Sequence, residues 1–326
     1  MSWTKPKIAF YWCASCGGCE EAVVDLNEAL LDVADKMDIV LWPVALDYKY
    51  ADIEAMNDGE IAVAFINGAI RTDEQAHIAR VLRKKAAMVV AFGSCAHTGG
   101  IPGLANLTSK AEIFRTSYLS SPTVENKAGT LPVTSTSVDG VPANLPGFWP
   151  QVHTLDQLID VDYYLPGCPP MPDNITGAIA AIMENRLPEK GTVIGSKKAL
   201  CDTCTRTRPE KPVFHERFYL PHEKMADPDV CFLAQGIICC GPATRSGCGE
   251  KCLHGNMPCT GCFGPLDNVR DQGAAMISAV AAYMDGRTAD EVRAVVETIT
   301  DPAGTFYRYC VPASQLFRTG GKEGTQ

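Results

Sequence analysis

Residues 201–262 carry nine of the chain's 15 cysteines. They run as CDTC at 201–204, a single Cys231, the pair Cys239–Cys240, CGEKC at 248–252, and PCTGC ending at Cys262. Between them lie mainly Gly, Pro, Thr, Arg and Asp, with few residues suited to a hydrophobic core. Such a segment is not expected to stay folded by apolar burial alone. Thiolate-bound metal can hold it, because the free energy of metal binding then becomes free energy of folding.

The chain has 326 residues, enough for one large domain or two ordinary ones. Its 46% hydrophobic and 21% charged content is that of a soluble globular protein. A net charge of −9 argues against a nucleic-acid partner, which would want a basic face. No apolar run approaches the roughly 18–20 residues needed to span a bilayer. The opening MSWTKPKIAFYW runs into a strand pattern with no export signal, so a cytoplasmic setting is expected. There, reducing conditions disfavour structural disulfides and spaced cysteines read as metal ligands.

Taken in order, KIAFYW (7–12) is a strand that ends in CASCGGC (13–19). EEAVVDLNEALLDVA then shows apolar residues near helical period, with acids in its first turn. Strands are expected at 38–46, 61–68 and 87–92, and a helix over 72–86 with Thr72 as N-cap. A strand at 161–165 ends in PGC (166–168), and a helix follows from about 173 to 185. Strands alternating with helices imply a parallel sheet, an α/β domain whose function collects at the carboxyl edge. Three cysteine loci (Cys13/16/19, Cys95 and Cys168) each follow directly on one of these strands. Neighbouring glycines let backbone N–H groups approach an anionic group held there.

Residues 99–150 show little periodicity and read as a long surface excursion. There Tyr118, Phe148 and Trp149 serve either an interface or ordinary packing. Composition changes near Gly191, giving domains at 1–190 and 191–326. Helices are expected at 271–284, with Gly286 as a stop, and at 289–299, and the polar GGKEGTQ end as a frayed tail. There is no internal repeat.

The two C-x2-C pairs, Cys201/Cys204 and Cys259/Cys262, could close one tetrahedral zinc site. That leaves Cys231, Cys239, Cys240, Cys248, Cys252 and the N-terminal loci without a purpose. Cuboidal 4Fe–4S clusters take four thiolates each from loops that wrap a bulky anionic core, and three clusters would use the inventory well. Spacing therefore favours iron–sulfur over zinc.

Taken together, CGGCEE (16–21), GSCAHTGGI (93–101), PGCPP (166–170), CFLAQGIICCGPATRSGC (231–248) and PCTGCFGP (258–265) resemble, in order, the motifs of nickel–iron hydrogenase small subunits. The resemblance implies a flavodoxin-like domain with one cluster, followed by an irregular, cluster-stapled domain with a few helices and two more. It implies a proximal 4Fe–4S cluster on Cys16, Cys19, Cys95 and Cys168. A distal one would use Cys201, Cys204, Cys231 and Cys239, with Cys201 where many relatives have His. A medial one would use Cys248, Cys259 and Cys262, with Cys252 as a fourth ligand. The nickel site would belong to a separate large subunit, and a further iron–sulfur or flavin subunit would accept the electrons. The departures look most like cytoplasmic hydrogenases that feed heterodisulfide reductase or reduce viologens. Deazaflavin- and NAD(P)-linked hydrogenases are cousins, and a complex I-type subunit with a single cluster is a more distant one.

Several residues keep two readings. Cys240 could exchange with Cys239 by a one-residue shift, and Cys13 with Cys16. Cys310 reads as a packed hydrophobe. Glu21 either touches a proton route near the large subunit or simply stabilises its helix turn. His97 reads as a satisfied loop histidine. Arg206, Arg208 and Arg245 offset cluster charge, meet an acidic partner or, by default, are solvated.

Overall fold

The computed structural model describes residues 5–284 and 287–316. Gly286, residues 1–4 of the opening segment and the 320–326 tail lie outside them. Six strands form one parallel sheet: β1 (Lys7–Trp12), β2 (Asp38–Leu41), β3 (Ile61–Asn67), β4 (Val89–Phe92), β5 (Tyr163–Leu165) and β6 (Thr192–Val193). Their spatial order, β2-β1-β3-β4-β5-β6, contains the flavodoxin-like order 2-1-3-4-5.

Side-chain alternation along β1 and β3 builds a core on each face. Ile8, Phe10, Val63 and Phe65 point to one side, where the rings of Phe10 and Phe65 stack at 5.4 Å. Ala9, Tyr11, Ala64 and Ile66 point to the other. Helices cover both faces. Helix Asp73–Lys85 buries Ala76, Ile78, Ala79 and Leu82 on one, and Pro172–Met183 buries Ile175, Ala178 and Ile179 on the other.

Three expectations need correction. The helix after Cys19 is two helices, Gly18–Val24 and Ala29–Lys36, separated by turns around Asn27 at φ +53°. The strand expected over 38–46 stops at Leu41, because Trp42–Leu46 closes a turn in which Pro43 has no N–H for the ladder. Residues 99–150 are largely exposed yet structured. They hold a 3₁₀ helix (Ile101–Leu107), a helix (Lys110–Arg115) and a hairpin (Ser135–Val138 with Val141–Asn144) turned by Asp139–Gly140. Strand Phe148–His153 then pairs antiparallel with Ile70–Thr72. Phe148 is anchored within the chain, against Phe114 at 5.2 Å and under the Arg71 guanidinium at 4.3 Å.

The second half builds more apolar core than its composition suggests. Phe218, Phe232, Leu233, Ile237 and Leu253 are buried against Met276 and Val280 of helix Gln272–Ala281, with Phe306 and Val311 beyond. The segment looked coreless because its partners lie outside it in sequence.

Thr72 accepts from the Gln75 N–H while the Gln75 side chain accepts from the Thr72 N–H, a closed capping box. Thr72→Ala should lower stability by about 1 kcal/mol in urea denaturation of the anaerobic protein, and Thr72→Ser should retain most of it.

Candidate metal centres

Because every sheet strand runs the same way, the loops after β1, β4 and β5 emerge at one edge. They bring Cys16, Cys19, Cys95 and Cys168 into mutual electrostatic interaction. Cys16 is exposed and the others are more enclosed. Burial raises all three of those thiols, Cys95 to about 12, and neighbouring sulfurs raise them further. Cys13 is buried in the sheet core instead, where its thiol faces none of these sulfurs.

Tight backbone approach creates this pocket. Gly93 sits at φ +86°, and a Cβ there would stand 2.5 Å from the Cys19 sulfur. At Gly100 the same atom would meet the Cys95 sulfur at 2.4 Å. The Gly18 N–H donates to the Cys16 sulfur at 3.5 Å.

A second set forms in the C-terminal half. Cys201, on the short helix Leu200–Thr203, joins Cys204, Cys231 and Cys239 around one cavity. Leu200, Phe232, Leu233, Pro242 and Leu253 complete its apolar wall. Cys239 is pushed up to about 11 and Cys201 to about 12, chiefly by burial. N–H groups of Gly241 and Cys259 oppose the rise at Cys239, the latter donating to its sulfur at 3.3 Å. Cys240 turns away, its sulfur facing the Thr305 carbonyl at 3.7 Å.

A third set lies between these two. Cys262 interacts electrostatically with Cys248, Cys252 and, across the seam, with Cys168. Cys259 interacts with Cys262 on one side and Cys239 on the other. Its sulfur accepts from the Gly261 N–H at 3.4 Å. Cys252 is exposed on helix Lys251–His254.

This grouping is not the one a zinc ribbon needs, since Cys201/Cys204 gather with Cys231/Cys239 and not with Cys259/Cys262. Among the described residues, no three His, Cys, Asp or Glu side chains converge on a single-ion site. Sulfurs spread around a cavity, with N–H groups aimed at them, fit a bulky anionic iron–sulfur core.

The remaining residues divide clearly. Glu21 is exposed in the first helical turn. Its neighbour Glu20 is buried beside Cys19 and accepts from Trp42 Nε1 and Asn67 Nδ2. Burial raises its carboxyl group against those two donors. Sequence reasoning missed Glu20, for which the only signal was adjacency to a ligand. Burial lowers His97 to about 4, and its ring packs on Tyr164 at 4.7 Å. Cys310 is buried in the C-terminal core. Arg206 and Arg245 are not solvated charges. Arg206 donates to the carbonyls of Asp227, Val230 and Leu253 and lies over Phe232 at 3.9 Å. Arg245 binds the Ser196 and Pro265 carbonyls and Asp267. Only Arg208 is exposed, at the wall of the second cavity.

Known proteins decide the family. The iron–sulfur subunit of the F420-non-reducing hydrogenase of Archaeoglobus profundus is 37% identical over 315 residues, covering 95% of this chain and 97% of that protein. The chain belongs to the nickel–iron hydrogenase small-subunit family. The corresponding F420-non-reducing hydrogenase subunit of Methanothermobacter thermautotrophicus is also 37% identical, over 98% of this small subunit and 99% of that protein. The family described as NADH ubiquinone oxidoreductase, 20 Kd subunit, matches residues 16–182, the part holding the first cysteine set. A NiFeSe hydrogenase structure from Desulfovibrio vulgaris Hildenborough aligns with TM-score 0.48 and 17% identity, over 82% of this chain and 96% of that one. The small subunit is thus part of an oxidoreductase acting on hydrogen.

Gly93→Ala should push the Cys19 sulfur out of its set. The iron and sulfide content of anaerobically prepared protein should then fall, while an unchanged content would show that the loop yields without cost.

Proposed function

We propose that this small subunit carries electrons from hydrogen oxidation on a large subunit's nickel–iron site to an acceptor subunit. Cys16, Cys19, Cys95 and Cys168 would hold a proximal 4Fe–4S cluster. Cys248, Cys252, Cys259 and Cys262 would hold a medial one, and Cys201, Cys204, Cys231 and Cys239 a distal one. When bound, such clusters supply one-electron redox sites. The chain's own part is to hold twelve sulfurs, exclude water with the apolar walls, and aim N–H donors at the sulfurs to tune potential.

The observation that carries this reading is continuity. Cys168 interacts with Cys262, Cys262 with Cys259, and Cys259 with Cys239, so the three sets form an unbroken row. The large subunit would seat at the proximal end, where exposed Cys16 and Glu21 lie; Glu21 is the proposed contact to a proton route. The acceptor would be a heterodisulfide-reductase-linked or related iron–sulfur or flavin subunit. The two relatives described above are named F420-non-reducing, which weighs against a deazaflavin-linked role and leaves NAD(P) linkage as the second choice. Among the described residues no helix is long and apolar enough to cross a membrane, and a cytoplasmic setting suits these acceptors.

Anaerobic protein should contain about twelve iron and twelve sulfide per chain. About four iron would instead indicate a single-cluster, complex I-type subunit, and zinc with no visible absorption a structural protein. Cys252→Ser should alter the medial cluster's EPR signal, and an unaltered signal would remove Cys252 from the ligand set. Cys201→His should keep a distal cluster at a shifted potential, whereas its loss would break the proposed equivalence.

A further inference from the structure

We propose that the groove beside the distal cysteine set docks an acidic redox protein that takes electrons from this chain. This rests on the relay above and adds to it the chemistry of the acceptor. The groove is open, about 750 Å³, and lined by Lys211, Pro212, Phe214, Tyr283, Met284 and Val292. Tyr283 joins it to the distal set. Its side chain interacts electrostatically with Cys201 and Cys231, and its ring stacks on His215 at 6.3 Å and 19°. His215 is in turn held at the Leu233 carbonyl, 2.9 Å from its Nε2. A protein seated in the groove therefore meets the wall of the distal cavity.

Charge selects the occupant. The chain as a whole is acidic, at −9, but the segment TRTRPEKPVF (205–214) carries three cations against Glu210 alone. Arg206 is committed to buried carbonyls. Arg208, at the distal cavity, and Lys211, in the groove, have no carboxylate partner among the described residues. Arg287 adds a cation that lies over Phe214 at 3.5 Å and is shared with Glu291 at 3.8 Å. Pro209 and Pro212 fix φ on either side of Lys211, so the loop presents its charge with little ordering cost. Unpaired cations flanking an apolar slot match a carboxylate-bearing segment with an apolar side chain between its acids.

The test uses anaerobic, cluster-loaded enzyme assembled from this chain and its large subunit. Hydrogen-dependent reduction of an acidic plant-type 2Fe–2S ferredoxin is compared with that of benzyl viologen over a range of NaCl. In the parent enzyme, salt should raise the KM for ferredoxin. Lys211→Glu and Phe214→Ala should each raise that KM on the order of tenfold, and Lys211→Glu should flatten the salt response. Viologen turnover, which needs no docking, should stay unchanged and so reports that both variants are folded. Ferredoxin kinetics indifferent to salt in the parent, or unchanged in both variants, would overturn the docking site while leaving the relay intact. Failure of the parent to reduce viologen, with iron well below about twelve, would overturn the relay and the docking site with it.

Discussion

Sulfurs crowded in a dry interior resist ionisation, and the second half of this molecule depends on reversing that resistance. Cys201 and Cys262 are each pushed up to about 12 and Cys239 to about 11, so without a cation near them they stay protonated. A metal ligand must be a thiolate, and a bound cation inverts the local preference. Ligation, proton release and folding are then one coupled event. Backbone N–H groups assist at Cys16, Cys239 and Cys259, donated by Gly18, Cys259 and Gly261 respectively. The loops are short because their task is to present N–H groups as well as sulfurs.

Metal does not act alone there. Helix Gln272–Ala281 lays Met276 and Val280 against Phe232, Ile237 and Leu253, the same layer that walls the cavity of the second cysteine set. Arg206 ties the layer together by filling three carbonyls from different turns. Removing an arginine buried in that way strands several acceptors, so it is part of the scaffold, unlike Arg208 beside it.

Much of this was legible in the sequence, and the reasons differ by element. The sheet could be read because β1, β3 and β4 are dense apolar runs, and β1 and β4 lead at once into cysteine loops. Thr72 announced its helix as an N-cap, and the structure adds Gln75, which closes the capping box. The proposed ligand sets rest on motif resemblance, because spacing alone left Cys201/Cys204 free to pair with Cys259/Cys262. What escaped was non-local. The buried state of Glu20 depends on Trp42 and Asn67, which lie 22 and 47 residues away. The Asp139–Gly140 hairpin escaped as well, because its strands are largely solvent-exposed and lack the alternation that marks a half-buried pair.

The two halves are locked where the first and third cysteine sets meet. Ser94, next to Cys95, donates to the Cys262 carbonyl. Thr98 Oγ1 and the Gly100 N–H both donate to the Tyr309 carbonyl, at 2.6 and 3.0 Å, and Gln157 donates to the Pro312 carbonyl at 2.8 Å. A Cβ on Gly99 or Gly103 would strike the Pro312 ring at 2.2 or 2.4 Å, so the 311–313 turn is seated hard against the Cys95 loop. Domains joined by a thin polar surface move freely, but these part-buried bonds to the Cys95 and Cys262 loops oppose that. The spacing of Cys168 from Cys262 is thereby set by the same contacts that set the fold. The electron path proposed above would need no domain motion to complete it.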